Sequence, residues 1–385
     1  ARVFADTGES ERRGVVVSRS MREQSPVVIS VNQDSGIGPD RAKGAAVHLK
    51  AMREAFSAMG AQCLAMDEPD DQQLWSALEQ RHRVGVIDLI YERYALGKST
   101  AARFAAEHDV PLVLEVNAPL AQEQRRWRGA SDEAEDARQD TLAMGQACGV
   151  IAVSGDVANY AVERGAHENR VEVFPNGIDT GRFNLALRQN SVRDALVPSG
   201  RFVIGFHGRL RPWHGFDMLV DVTLELLGQH LDVHLLVVGE GDFEDLERLP
   251  EDRYTRVPWQ AHEEIPRYVA AFDVLPLTYQ PDMPCYFSPL KLMEAMACGV
   301  VPIVPDLGDL PAVVDHCRTG LVYCAGDKKK LQMQLQSLIA DRDRLERVGL
   351  AAAHEAECHS WGRIATHALQ VAAGSTGLPR VGVKA

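Results

Sequence analysis

No apolar run in the 385-residue sequence reaches the roughly 18 to 20 residues that a helix needs to cross a bilayer, so no segment reads as a spanning helix. No C-x-x-C pair occurs among the seven cysteines, Cys63, Cys148, Cys285, Cys298, Cys317, Cys324 and Cys358. Their scatter and odd number argue against a disulfide scaffold and for a reducing, cytoplasmic setting. Basic charge is in deficit, with 41 Lys and Arg against 54 Asp and Glu and a net charge of −13. That excludes a general nucleic-acid binder, whose surface has to displace counterions from phosphates, and gives no support to a broad basic membrane face.

Several common catalytic signatures are missing as well. Gly36-Ile37-Gly38 is followed by Arg41, and Gly239-Glu240-Gly241 by Glu244, so neither completes the dinucleotide-binding G-x-G-x-x-G. There is no Walker A motif and no G-x-S-x-G elbow. His167-Glu168 and His262-Glu263 lack the second histidine of a zinc-binding H-E-x-x-H, and His354-Glu355, with Cys358 and His359, reads as a solvated helix. Asp341-Arg342-Asp343 lies in a helical stretch and not at a strand end, and the Asp67 to Asp71 loop reads as solvated acid. No metal site is expected.

What is present is a repeated alternation of short Val- and Ile-rich runs with amphipathic segments, the pattern of strand-helix units building parallel sheets. Candidate strands are Val27–Val31, Gln62–Met66, Val86–Tyr91, Pro111–Val116, Val150–Ser154 and Val171–Pro175, and then Phe202–Phe206, Val233–Val238, Thr255–Pro258, Val274–Leu277, Val300–Val304 and Leu321–Tyr323. Ala46, Leu49, Met52, Phe56 and Met59 fall on one helical stripe. The expected fold class is α/β with two doubly wound domains, over 26–180 and 201–360, joined by a linker at 181–200. Residues 361–373 read as a terminal helix that packs back on the first domain, 1–25 as a flexible leader without the apolar core of a secretory signal, and 374–385 as a tail. Ligands of such folds bind beyond the carboxyl ends of the strands, which places the site in the cleft.

The chemistry concentrates in Tyr286-Phe287-Ser288-Pro289-Leu290-Lys291-Leu292-Met293-Glu294. Ser288 suits an N-cap and Pro289 the first helical position, so a helix should start here with its amides pointing outward. Lys291 stands where a capping box would put Glu or Gln, and a cation in the first turn opposes the helix dipole by about 0.3–1 kcal/mol. A bound phosphate reverses that cost. Glu294, three residues on and on nearly the same face, is suited to a ribose diol, so the pair describes a nucleotide. The alternative is a surface Lys-Glu pair. A second cluster, Phe206 to Gly215, follows the first strand of the second half: Gly208 lets backbone approach a ligand, Arg209 offers a fork to phosphate, and His214 can donate a hydrogen bond or titrate. Trp213 staples the loop.

Taken in order, NGID at Asn176–Asp179, GRLRPWHG at Gly208–Gly215, VVGEG at Val237–Gly241 and SPLKLMEAMACGVVPIV at Ser288–Val304 resemble the family 4 GT-B glycosyltransferases over about residues 27 to 372. The resemblance implies a GT-B architecture of two Rossmann-like domains, with an acceptor in the first and a nucleotide-sugar donor in the second. It implies that Arg209 and a lysine hold the diphosphate and that Glu294, the second glutamate of an E-x7-E element, holds ribose. His214 replaces that lysine, with Lys291 compensating, and Tyr286 replaces the first glutamate. PWHG together with SPLK marks a subgroup. Gly36 and Gly38, in a glycine loop after the first strand, and Asn117, after a later strand, are expected to approach the transferred sugar, with Gly208, Tyr286, Phe287, Ser288, Pro289 and Leu290 completing the substrate-binding set. His48 reads equally as structural or functional.

The implied reaction is retaining hexosyl or N-acetylhexosaminyl transfer without metal or covalent intermediate, using Arg209, Lys291, His214 and Glu294. No cofactor is expected beyond the donor itself, with UDP preferred over GDP. The acceptor is a saccharide, a lipid-linked saccharide or a small metabolite, and the oligomeric state is left open. The rivals are another GT-B activity, epimerase or phosphorylase, and a catalytically silent nucleotide-sugar-binding protein.

Overall fold

The computed structural model describes residues 25–37, 44–129, 131–189 and 191–375. Twelve strands are found among them: β1 Val27–Asn32, β2 Gln62–Met66, β3 Leu89–Arg93, β4 Leu112–Val116, β5 Gly149–Ala152, β6 Val171–Val173, β7 Phe202–His207, β8 Val233–Val238, β9 Tyr254–Val257, β10 Val274–Pro276, β11 Val301–Pro305 and β12 Leu321–Tyr323. They form two six-stranded sheets ordered β2-β1-β3-β4-β5-β6 and β12-β11-β10-β7-β8-β9. Strand pairs such as β1 with β3 and β7 with β8 are parallel, as crossover helices require. The first strand of each sheet therefore has neighbours whose connections leave in opposite directions, and the crevice opens where the order reverses, between β1 and β3 and between β7 and β10.

Runs such as Phe202–His207 and Val233–Val238 are buried along their whole length because helices cover both faces, which is why they read as continuous apolar strings. Packing in the β7 sheet is tight. A side-chain carbon at Gly205 would lie 2.2 Å from the ring of the fully buried Phe272. Gly205→Ala should therefore cost about 1–3 kcal/mol through overpacking, read as a lower Tm.

The expected elements are corrected in five places. The sixth strand ends at Val173, not Pro175. The third strand begins at Leu89, not Val86, because Asp88 turns back to accept a hydrogen bond from the Val27 amide at 2.8 Å. The fifth ends at Ala152, and Ser154 instead caps the next helix through Val157 N at 3.3 Å. Met59 lies just past the helix Gly44–Ala58 and is 40% exposed, so it leaves the apolar stripe. Residues 181–200 are no loose linker. They contain a helix at Ser191–Leu196, their Phe183 and Val197 enter the second core, and Arg193 bonds Asp273 at 2.9 Å.

The helix Trp361–Ser375 lies on the first sheet, with Trp361, Ile364, Ala365 and Ala368 packed among Val28, Phe56, Tyr91 and Val113. The chain thus returns to its first domain after completing its second. Asp341 caps the helix Arg342–Glu357 through Arg344 N at 2.8 Å. The loop acids are held too: Asp67 pairs with Arg53, while Asp71 accepts from Gln33 at 2.9 Å and Thr100 at 2.8 Å.

Candidate functional site

The helix Leu290–Ala297 carries the site. Its N-cap is Pro289, which has no acceptor for the first-turn amides, and no side chain caps it. Ser288, expected in that role, is turned away: its Oγ accepts from Asn176 N at 2.9 Å and its carbonyl from Asn176 Nδ2 at 2.6 Å. Ser288 lies one residue too early to reach the amides that an N-cap serves, so its hydroxyl joins the two domains instead.

Lys291 points from the first turn toward the loop after β7. Its Nζ lies 3.3 Å from His214 Nε2, 4.9 Å from the centre of the Phe206 ring, and 3.9 Å from where a Gly208 side-chain carbon would be. Burial pushes the ammonium down to about 8. His214 accepts from Arg211 N on Nδ1 at 3.1 Å, and burial, followed by the charges of Lys291 and Arg211, lowers it to about 2. A neutral His214 whose Nδ1 accepts has its proton on Nε2, facing the lysine. Two potential donors thus converge, the arrangement an oxyanion between them satisfies.

Backbone geometry makes room for this loop. Gly215 adopts φ 57° beside the Thr278 carbonyl, where a side-chain carbon would approach to 2.1 Å, and Thr278 Oγ1 donates to the His214 carbonyl at 2.7 Å. Thr278 follows β10 and His214 follows β7, so the hydrogen bond spans the reversal point of the second sheet. A side-chain carbon at Gly239, φ 144°, would lie 2.1 Å from the Gly208 carbonyl. Only glycine fits there.

Glu294, one turn after Lys291, is buried between two histidines. His262 Nε2 lies 3.2 Å from Oε1 and His207 Nε2 3.6 Å from Oε2. Burial alone raises its carboxyl, but the hydrogen bond from His262 and the neighbouring His207 and Lys291 outweigh that and hold it below the usual range. Burial takes His207 down to about 4. The carboxylate opens on an interdomain cavity of about 410 Å³, walled by Val47, Lys50 and Ala51 on one side and by Trp259, His262 and Leu290 on the other.

The other expected residues are placed unequally. Arg209 is exposed on the rim, where its guanidinium pairs with Glu240 and not with the Lys291 group, because the Gly239 loop brings that carboxylate alongside. Asn117 follows β4 with a buried Oδ1 that has no partner among the described residues. Gly36 sits in the turn after β1, its amide donating to Asp34 Oδ1 at 2.7 Å, and Gly38 lies outside the described residues. Tyr286 Oη donates to Glu123 Oε1 at 2.5 Å. Phe287 packs edge-on against Tyr279 in the second core. His48 is buried against Glu115 at 3.0 Å, beside Trp361. Among the described residues no group of three His, Cys, Asp or Glu has metal-holding geometry. His207, His262, Trp259 and Glu123 were not singled out from sequence. His207 was visible there only as a member of the Phe206 to Gly215 cluster, and His262 only as half of an incomplete zinc motif.

The second domain matches the family described as "Glycosyl transferases group 1" over residues 201–341, and the first matches "Glycosyltransferase Family 4" over residues 64–182. The chain carries glycosyltransferase domains on a GT-B fold. These glycosyltransferase domains are similar to the D-inositol 3-phosphate glycosyltransferase of Nocardia farcinica, at 27% identity over 76% of this chain and 67% of that protein. The enzyme of the same name from Segniliparus rotundus is 28% identical over 53% of this chain and 49% of its own length. Among solved structures, Anabaena HepE in complex with UDP superposes with a TM-score of 0.68 at 21% identity, covering 92% of this chain and all (100%) of that one. The Arabidopsis thaliana starch synthase IV catalytic domain, bound to ADP and acarbose, gives a TM-score of 0.67 at 14% identity, covering 92% and 100%.

Proposed function

We propose that the chain is a metal-independent, retaining glycosyltransferase that moves a hexosyl group from a UDP-sugar to a hydroxyl of a small-molecule acceptor. The observation that carries this reading is the spacing of Lys291 and Glu294 one turn apart on one helix, with Glu294 lining the interdomain cavity. An ionised carboxylate held by His262 accepts the two hydroxyls of a ribose, and one turn away the Lys291 ammonium, the His214 Nε2–H and the uncapped helix start meet a diphosphate. UDP is favoured as the nucleotide because the fold's relative HepE was solved with UDP and with UDP-glucose. A small polyol acceptor is favoured by the names of the similar sequences, and the buried, unpartnered Oδ1 of Asn117, at the carboxyl end of β4, supports assigning that residue to the sugar.

In the transfer step the anomeric C–O bond to the diphosphate breaks while the acceptor oxygen bonds the same face, and the acceptor's proton passes to the leaving phosphate oxygen. Lys291 and His214 stabilise the charge that grows on the diphosphate. Closure of the two domains over the cavity keeps water from competing.

Thermal shift with UDP, GDP, ADP and dTDP, followed by NMR of the product anomer with EDTA present, tests the reading. Stabilisation by UDP and a product with the donor's anomeric configuration are expected. Failure of all four nucleotides to stabilise the protein sinks the donor assignment. An inverted anomer sinks the retaining mechanism, and loss of turnover in EDTA sinks metal independence.

A further inference from the structure

The segment leading into the donor helix is gripped from the other domain. Ser154 Oγ donates to the Tyr286 carbonyl at 2.5 Å, Asn176 binds both Oγ and the carbonyl of Ser288, and the Gly155 amide donates to Asp309 Oδ2 at 2.6 Å. Within this clasp Tyr286 makes the deepest reach. Its ring packs against the first domain's core, at right angles to Phe287, and its hydroxyl ends on Glu123 Oε1 at 2.5 Å. Glu123 closes the short helix Leu120–Glu123, which begins three residues after Asn117, so the carboxylate and the unpartnered Asn117 amide oxygen belong to one loop at the carboxyl end of β4.

A carboxylate accepting a phenolic proton makes a strong, directional hydrogen bond, and the two side chains come from different domains. We propose that Glu123 is a positioning residue: through Tyr286 it fixes residues 286–289 against the first domain, so that the sugar end of a donor bound at the helix start meets the Asn117 loop. This rests on the functional reading above. The nucleotide end is held by Lys291, His214, Glu294 and the first-turn amides, none of which makes a hydrogen bond of the clasp. Loosening the clasp therefore leaves nucleotide affinity in place and misaligns the reacting bond, and a displacement of about 1 Å can cost on the order of 100-fold in rate. Tyr286, which replaces a carboxylate in the resembled family, here delivers its hydroxyl to a carboxylate supplied by the other domain.

The test compares wild type with Glu123→Ala, Glu123→Gln, Tyr286→Phe and the Glu123→Ala/Tyr286→Phe pair in the full chain. It measures UDP affinity by calorimetry and cleavage of UDP-glucose to UDP and glucose, with melting temperature as the folding control. Tyr286→Phe removes a single oxygen and keeps the ring packed, so it stands in where Glu123→Ala fails to fold. Expected are UDP affinities within about twofold of wild type, kcat lower by about 10- to 100-fold in both single variants, partial recovery in Glu123→Gln, and a double variant no worse than either single one. Unchanged kcat in the single variants overturns the inference, as does a parallel loss of UDP affinity or an additive double variant. A wild-type chain that neither binds UDP nor cleaves UDP-glucose overturns the functional reading and this inference with it.

Discussion

Lys291→Met should lower kcat for transfer by about 10²–10³-fold, the loss typical when a pre-positioned charge-stabilising donor is removed, while UDP still binds with reduced affinity. The reasoning starts from burial. The ammonium sits under the Phe206 ring beside the Gly208 backbone, where charge-charge attraction is screened far less than at a surface. Methionine keeps the length and apolar contacts of the stem, so the variant removes charge and leaves packing. Arg209→Ala should be milder, within about tenfold, because the exposed guanidinium is engaged with Glu240 and screened by water. Single-turnover kinetics on the two variants separates them; equal losses would show that the rim arginine reaches the diphosphate after all.

The same lysine predicts a pH dependence. Burial lowers the ammonium to about 8, and a diphosphate oxygen beside it favours the charged form, so binding raises its pKa. A cation whose pKa rises on binding contributes affinity that is fully present below its free value and lost as pH climbs above it. UDP affinity should therefore be flat from pH 7 to about 8 and fall by up to about tenfold per unit beyond, with proton uptake on binding. The UDP phosphates, with a second pKa near roughly 6, are already ionised across that window and do not mask the effect. His214 stays neutral throughout, because its value lies near 2. Calorimetry in buffers of different ionisation enthalpy measures the uptake, and Lys291→Met should abolish it.

The strands were legible because a parallel sheet covered on both faces needs unbroken apolar runs, and eleven of the twelve began within one residue of where the pattern put them. The Lys291 and Glu294 pairing was legible because three residues is nearly one helical turn, a purely local rule. What escaped were partners brought in over distance. His262 meets Glu294 across 32 positions and Glu123 meets Tyr286 across 163, and neither separation leaves a periodic trace. Ser288 and Arg209 illustrate the converse. Local chemistry proposed a cap and a phosphate fork, but Asn176 and Glu240, contributed by other loops, claimed both side chains. Position along the chain was readable; the direction of a polar side chain with several available partners was not.

Glu294→Ala should weaken UDP binding by about 100-fold, equivalent to roughly 2.7 kcal/mol and in line with losing two hydrogen bonds to a charged acceptor. The carboxylate is ionised in the free site, since His262 and its neighbours hold its pKa down against burial, so it accepts from both ribose hydroxyls without first losing a proton. Inorganic pyrophosphate, which has no ribose, should bind the variant as well as wild type or more tightly, because a negative charge one turn from Lys291 has gone. That opposite response distinguishes ribose recognition from collapse of the site: a general disruption would weaken both ligands. Glu294→Gln retains one acceptor but presents an amide where two acceptor oxygens stood, and should fall between. Calorimetric titration of the three proteins with UDP and with pyrophosphate decides the matter, and a parallel loss of both ligands would move the ribose away from Glu294.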